Sequence, residues 1–336
     1  MKLLVTGGLG FIGSNFCRHM LMEHSDYEII NIDKLGVGAN PANLHDAEHD
    51  QRYTFIKGNI CNRKLMAKLV CNVDAVVNFA AETHVDRSIA NPEVFIQNNT
   101  VGTFTLLDAV KNHNRNARII QVSTDEVYGP AVNNTSFTED SPLNPSNPYS
   151  ASKAAADMIA LSYHKTYNLN LSITRCTNNF GPYQHPEKLI PKTIIRALRN
   201  LNIPIYGTGT NTRDWIHVQD HCEAIDAALQ KGKPGHIYNI SAGNEYSNIQ
   251  IAKTILAILD KPETLITHVE DRPGHDARYS IDSSKTRAAL GWQPKHAFNQ
   301  ALESTVKWYT ENEQWWRPLA TETVLHPTPW RLHAAK

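Results

Sequence analysis

Gly7-Gly8-Leu9-Gly10-Phe11-Ile12-Gly13 stands between a short β-rich run, Lys2–Thr6, and a stretch, Phe11–Glu23, whose apolar residues recur at helical spacing. The pattern reads as strand, turn and helix. Glycines at positions 7, 10 and 13 supply backbone without Cβ atoms, so the chain can turn tightly and a pyrophosphate can approach the positive N-terminus of the helix. A glycine triplet alone is weak, and a plain turn would account for it. Here strand and helix flank it on the required sides, and Asp33 closes a second strand, Glu28–Asp33, twenty residues beyond Gly13. An acid at that place accepts hydrogen bonds from an adenosine ribose and repels a 2′-phosphate, so NAD is expected over NADP. Further strands over 53–57, 75–81, 118–122 and 171–175 alternate with helical segments near 92–111 and 149–167. This alternation predicts an α/β fold built on a doubly wound parallel sheet. Beyond it, 178–191 and 205–215 mix glycine, proline and polar residues among shorter elements, as a smaller ligand-covering domain does.

Bulk properties narrow the class. Thirty-three basic residues balance thirty-three acidic ones, which removes any overall pull toward nucleic acid or an anionic membrane. Cys17, Cys61, Cys71, Cys176 and Cys222 show no C-x-x-C spacing, so neither a disulfide framework nor a thiolate metal site is expected. The N-terminus enters a strand within three residues, with no basic and apolar leader, and no window approaches eighteen apolar residues. A cytoplasmic enzyme is expected. His45 and His49 have metal-like spacing but sit in a polar stretch that reads as solvated, and Trp315-Trp316 reads as packing or an anchor for the tail.

Two constellations carry chemistry. Tyr149-Ser-Ala-Ser-Lys153 opens a helix and puts a phenol and an ammonium on one helical face. The ammonium can depress the phenol's pKa and hold a cofactor ribose, making a tyrosinate base for a sugar or alcohol hydroxyl. The second is Thr124-Asp125-Glu126, where the strand over 118–122 runs out.

These stretches carry a resemblance: Thr6-Gly-Gly-Leu-Gly-Phe-Ile-Gly13, Ala80-Ala-Glu-Thr-His-Val-Asp-Arg-Ser88, Thr124-Asp-Glu-Val-Tyr-Gly129, Tyr149-Ser-Ala-Ser-Lys153, Arg175-Cys-Thr-Asn-Asn-Phe-Gly-Pro-Tyr183, Pro186-Glu-Lys-Leu-Ile-Pro191, Arg213-Asp-Trp215 and Asp271-Arg-Pro-Gly-His-Asp276. From Lys2 to about Trp308 the chain resembles the extended short-chain dehydrogenase/reductase family and, within it, the nucleotide-sugar 4,6-dehydratases. The Asp-Glu pair discriminates, because relatives that only epimerise or decarboxylate need no such proton traffic. The resemblance implies a redox-neutral lyase acting on dTDP-glucose, with UDP-glucose, or 4-epimerisation or decarboxylation of a nucleotide sugar, as alternatives. In that scheme Tyr149 takes the C4 hydroxyl proton as the C4 hydride leaves, Glu126 removes the C5 proton, and Asp125 protonates the departing C6 hydroxyl. Thr124 orients the C4 oxygen, and Lys153 lowers the tyrosine pKa.

The resemblance also distributes the binding residues. NAD would be held by Gly7, Gly10, Phe11, Ile12, Gly13 and Asp33, by Asn59 and Ile60 at the adenine, and by Ala80, Ala81, Thr83, Asn99, Tyr149, Lys153 and Asn178. The nucleotide sugar would meet Thr83, His84, Asp86, Thr124, Asp125, Glu126, Asn178, Lys188, Leu189, Asn248 and His275, with Arg213 and Arg272 clamping the diphosphate. Asn59 replaces the family's usual aspartate, and Asn98 its usual threonine. The implied division is 1–178 with 214–240 as the NAD-binding Rossmann domain, 179–213 with 241–317 as a mixed α/β nucleotide-sugar domain, and 318–336 as a loosely ordered tail. A homodimer through helices near 99–113 and 149–167 is implied as well.

Overall fold

The computed structural model describes residues 1–132 and 135–332. Strand and helix alternate through its first half as β1 (Lys2–Thr6), α1 (Phe11–Glu23), β2 (Glu28–Asp33), β3 (Tyr53–Lys57), α2 (Arg63–Val70), β4 (Ala75–Asn78), α3 (Val85–Ala90), α4 (Pro92–Phe95), α5 (Gly102–His113), β5 (Arg118–Thr124), α6 (Pro148–Tyr167) and β6 (Leu171–Cys176). There follow β7 (Asn178–Phe180), α7 (Leu189–Leu198), β8 (Ile203–Tyr206), β9 (Thr212–His217), α8 (Val218–Lys231), β10 (Ile237–Ile240), β11 (Glu245–Ser247), α9 (Asn248–Ile258), β12 (Ile266–Val269), α10 (Ser284–Leu290) and α11 (Phe298–Glu311).

Seven strands form one sheet in the order β10-β6-β5-β4-β1-β2-β3, parallel at every pairing. From β1 the chain winds one way to β3 and then crosses back to β4, so β1 and β4 flank the point where the winding reverses. Loops leaving the carboxyl ends of two such strands diverge and open a crevice, the place where this architecture binds ligands. The doubly wound parallel sheet is therefore the one that the strand and helix pattern predicts. β4 and β6 are buried throughout, and β5 nearly so, because helices cover both faces. Period-two alternation splits β1 between the two layers: Leu3 and Val5 pack with Phe16, Met20 and Ile225, while Leu4 packs with Leu106, Leu107 and Leu171.

The irregular second half builds a three-stranded sheet, β11-β9-β7, and a two-stranded one, β12-β8. Their core gathers Phe180, Ile194, Trp215, Ile255 and Leu302. Expectation and structure part at two places. The helical segment near 92–111 is interrupted by a π-turn, Ile96–Val101, which side-chain periodicity does not reveal. The tail is not loose over its described part: Ala320, Leu325 and Trp330 are buried, and Ala320 and Leu325 carbonyls accept from Arg199 Nη1 at 3.2 Å and Arg196 Nη1 at 2.7 Å. Its order comes from contacts distant in sequence, which an aperiodic run gives no sign of. Residues 333–336 of that expectation lie outside the described residues. Among the described residues no helix is long and apolar enough to cross a membrane.

One buried ion pair braces the sheet. Arg175, 1% exposed in β6, donates through Nε to Asp157 Oδ2 of α6 at 2.9 Å, and its guanidinium lies 4.7 Å from the centre of the Tyr128 ring. Removing the carboxylate leaves a charge without water or partner. Asp157→Ala is expected to cost about 3–5 kcal/mol in urea unfolding, whereas Arg175→Met with Asp157→Leu, which removes both charges, is expected to cost much less.

Candidate active site

The crevice beyond β1 and β4 opens into a cavity, and the chain reaches it first with the glycine turn. Gly7 has φ of +71°, and a Cβ there would lie 2.7 Å from Ala80 N; a Cβ on Gly13 would lie 2.4 Å from the Gly7 carbonyl. Side chains at either position would force β1 and its loop away from β4 and α1. No side chain caps the first turn of α1, so its amide N–H groups remain for a ligand anion. Asp33, at the end of β2, fixes the turn: Oδ2 accepts from Leu9 N at 3.1 Å and Oδ1 from Leu35 N at 2.8 Å. Burial raises this carboxyl, and those two N–H donors oppose the rise. The Leu9 carbonyl in turn accepts from Asn40 N at 3.0 Å and Asn43 Nδ2 at 2.9 Å, and Trp315 Nε1 donates to Asn43 Oδ1 at 2.9 Å.

Gly7, Gly10, Phe11, Ile12, Gly13, Asp33, Asn59, Ile60, Ala80, Ala81 and Thr83 all line this cavity, as do Thr124, Asp125, Glu126, Tyr149, Lys153 and Asn178. The glycine cradle, the uncapped helix and the acid at the end of β2 fit an adenine dinucleotide without a 2′-phosphate. Asn59 Oδ1 is engaged by Cys61 N at 2.8 Å. Asn99 departs from expectation and lies behind the wall. Its Oδ1 accepts from Glu82 N at 2.7 Å, and its Nδ2 donates to Glu82 O at 3.0 Å and Ser152 Oγ at 2.9 Å, so the amide is spent on holding the 81–83 loop against α6. Asn98 lines the cavity instead, where its Oδ1 accepts from Lys34 Nζ at 2.8 Å.

A second cavity adjoins the first and shares Thr83, Glu126, Asn178, Glu187 and Lys188 with it. His84, Asp86, Leu189, Arg213, Asn248, Arg272 and His275 line it. His84 is held at φ of +89°, a conformation rare for a non-glycine residue, with its ring between Glu187 and Asp86. Burial keeps its imidazole neutral well into acid. Arg213, nearly buried, stacks 4.3 Å from the centre of the Tyr279 ring, and Arg272 Nη1 donates to Asp86 Oδ1 at 2.9 Å. His275 Nδ1 bonds Asp271 Oδ1 at 2.6 Å, while burial holds its pKa to about 4. Lys188 precedes α7 without capping it, so the first amides of α7 add to the cationic wall. This surface, two arginines and a helix start, suits a diphosphate.

Thr124, Asp125, Glu126 and Tyr149 meet where the cavities join. Thr124 Oγ1 donates to Asp125 Oδ1 at 3.2 Å, and Asp125 Oδ2 and Glu126 Oε2 are buried without a protein partner. Burial raises both carboxyls. For Asp125 the neighbouring Glu126 raises it further, to well above the usual range; for Glu126 the guanidiniums of Arg272 and Arg213 pull back. The pair is thus biased toward a protonated Asp125 beside an ionisable Glu126. One expectation fails for the protein's own groups: the Tyr149 phenol is not depressed. Burial raises it and Glu126 adds to the rise, with the Thr83 and Thr124 hydroxyls opposing. Lys153 is itself lowered by burial, and its Nζ donates to the Val122 carbonyl at 2.7 Å, which holds the ammonium on the sheet end.

Reasoning from sequence left several lining residues unassigned. Glu82 bridges Lys34 Nζ at 2.5 Å and Arg87 Nη1 at 3.0 Å. Glu187, inside a quoted motif, lies 3.3 Å from Arg87 Nε; burial raises it, but the neighbouring His84 imidazole and the Arg87 and Lys188 charges outweigh that and hold it at about 2. Lys192, Tyr206 and Tyr279 also line the second cavity. Tyr206 could have been suspected from its place before the Gly207 turn; nothing local marks Tyr279.

A dinucleotide cradle that opens onto a diphosphate pocket, with phenol, ammonium and paired carboxyls at the junction, defines an extended short-chain dehydrogenase/reductase that acts on nucleotide sugars. The family model described as GDP-mannose 4,6 dehydratase matches residues 4–305, and the chain belongs to this family. It is 45% identical over 323 residues to the dTDP-glucose 4,6-dehydratase of Streptomyces niveus, covering 95% of this chain and 96% of that one. Among solved structures, the dTDP-glucose 4,6-dehydratase of Streptomyces venezuelae with NAD and TYD bound superimposes with a TM-score of 0.92 at 46% identity, covering 95% of this chain and 100% of that one. The dTDP-glucose 4,6-dehydratase of Bacillus anthracis in complex with NAD gives 0.89 at 47%, with 95% and 99% covered.

Gly13→Ala is expected to abolish retention of NAD through purification, measured by absorbance and by release on denaturation, with the far-ultraviolet circular dichroism unchanged. Retention equal to the parent's would show that the Gly7 carbonyl yields.

Proposed function

We propose that this protein is a NAD-dependent dTDP-glucose 4,6-dehydratase, which converts its substrate to the 4-keto-6-deoxy sugar nucleotide without net oxidation. The observation that carries the reading is the Asp125-Glu126 pair beside Tyr149, each with a buried, unpartnered oxygen and the two held in unlike protonation tendencies. Epimerisation at C4 would leave both carboxyls idle.

When bound, NAD⁺ supplies a two-electron acceptor that takes the C4 hydride and returns it at C6. The chain's own residues manage protons and position. Thr124 hydrogen-bonds the C4 oxygen, and Tyr149 removes its proton. The Tyr149 phenol, raised by burial, needs positive charge to act near neutral pH, which Lys153 on the same helical face and the cofactor, when bound, would supply. The resulting C4 ketone acidifies C5, and Glu126 takes that proton. Asp125, kept neutral, protonates the C6 oxygen, so the C6–O bond breaks and water leaves. Glu126 then returns a proton to C5. Arg213 and Arg272 with the start of α7 hold the diphosphate, while Asn178, Lys188 and Leu189 wall the pocket.

In this reading 1–178 with 214–240 serve the cofactor and 179–213 with 241–317 the sugar nucleotide. Two copies meet through α5 and α6, supported by the exposure of Met158 (56%) on α6 and of Ile96 (54%) in the π-turn that leads into α5. The five cysteines, all free, suit the cytoplasm.

Purified protein incubated with dTDP-glucose and, separately, UDP-glucose is expected to yield a product lighter by one water by mass spectrometry, faster with dTDP-glucose. A product of unchanged mass overturns the reading in favour of epimerisation. Glu126→Gln is expected to lower kcat by about 10²–10⁴-fold with NAD retained. Because Glu126 must be ionised and its pKa lies above an ordinary glutamate's, the acid limb of kcat/KM is expected to fall at a pH higher than a free glutamate would give. Asp125 must be protonated, so its ionisation sets an alkaline limb, which Asp125→Asn should remove.

A further inference from the structure

The chain beyond residue 305 lies outside the family match and has no task in the reaction above. Its last described turn, Pro329–Arg331, packs against α3 and buries Trp330, 6% exposed. The indole meets the Tyr206 ring edge-on, with centres 4.7 Å apart, and His275 lies across the same ring at 6.2 Å. Tyr206 Oη donates to Asp86 Oδ2 at 2.9 Å, and the other oxygen of this fully buried carboxylate receives Arg272. Tyr206, Asp86, Arg272 and His275 line the second cavity, whereas Trp330 stands behind them. The segment is fastened on either side of the indole: Arg331 pairs with Glu270, and the His326 carbonyl accepts from Lys192 Nζ at 3.3 Å.

We propose that Trp330 is a positioning residue for the nucleotide diphosphate: its indole holds Tyr206 against Asp86, and Asp86 thereby fixes the Arg272 guanidinium toward the ligand. The inference rests on the reading of the second cavity as the nucleotide-sugar pocket. A buried carboxylate needs its donors. With Tyr206 in place Asp86 is served by two of them, and Arg272 keeps Nε, which is buried without a protein partner, for a phosphate oxygen. Without the indole, the Tyr206 ring gains a void to turn into, and Asp86 keeps only Arg272 as a hydrogen-bonded donor, with His84 Nε2 3.7 Å away. The guanidinium is then drawn onto the carboxylate. Trp330 does not line the cavity that holds Tyr149, so its loss acts first on binding and reaches the chemistry only as far as Arg272 loosens its hold on Glu126.

The test uses the full chain with NAD bound, as wild type, Trp330→Phe and Trp330→Ala. Calorimetric Kd for dTDP and steady-state KM and kcat for dTDP-glucose are measured, with melting temperature alongside. Trp330→Ala is expected to raise Kd and KM about tenfold, with a smaller fall in kcat, and Trp330→Phe to recover most of the loss. Kd and KM within about twofold of wild type overturn the proposal and leave the dehydratase reading intact. A joint fall of kcat and rise of KM that tracks the melting temperature, with phenylalanine no better than alanine, also overturns it. Should the alanine variant not fold, the wild type and Trp330→Phe are compared with Trp330→Leu, and a Kd for dTDP that does not follow loss of the ring sinks the idea. A wild type that binds no dTDP overturns both readings.

Discussion

Asp125 and Glu126 leave the end of β5 for the junction of the two cavities, where the cost of holding charge shapes what surrounds them. One carboxylate there can be stabilised by the Arg213 and Arg272 guanidiniums; a second, a residue away, cannot be stabilised as well. The structure settles the conflict by unequal surroundings. Asp125 faces Thr124 and the repulsion of Glu126, while Glu126 looks toward the arginines. The difference between an acid and a base is therefore written in second-sphere charges, since the two side chains offer the same functional group.

Those arginines are in turn held by other residues. Arg272 leans on Asp86, Asp86 on Tyr206, and Arg213 on the face of Tyr279. On the cofactor side Glu82 joins Lys34 to Arg87, and Arg87 reaches Glu187. Charges that would be costly singly alternate in sign along this path and offset one another. The two cavities thus share one electrostatic framework, which places Lys188 and Thr83 at the junction, bonded at 3.2 Å.

Much of this was legible because the signals are local. The glycines at 7, 10 and 13, Asp33 at a strand end and Tyr149 four residues before Lys153 each express a backbone or helical-face requirement that neighbouring residues reveal. The loop arginines 213 and 272 were legible through motif resemblance. What escaped depends on residues far apart in the chain. Asn99 looked like a cofactor ligand, yet Glu82 and Ser152 consume its amide. The tail looked loose because periodicity was absent, yet Trp330 is buried against Tyr206, more than a hundred positions away. The Tyr149 pKa escaped because spacing gives direction along a helix but says nothing of burial or of where Lys153 finds its acceptor. His45, by contrast, stands exposed and pairs with Glu48 as a solvated residue would.

The turn around Leu9 has one more implication. Its amide is claimed by Asp33 and its carbonyl by Asn40 and Asn43, and Asn43 is itself pinned by Trp315 from the far end of the chain. A turn stapled in this way keeps the glycine cradle in one shape, and deforming it breaks several of these bonds together. Since the reaction restores the cofactor at every turnover, nothing in the cycle requires its departure. An oxidant that need not leave insulates the flow of sugar nucleotide from the cell's fluctuating ratio of oxidised to reduced nicotinamide.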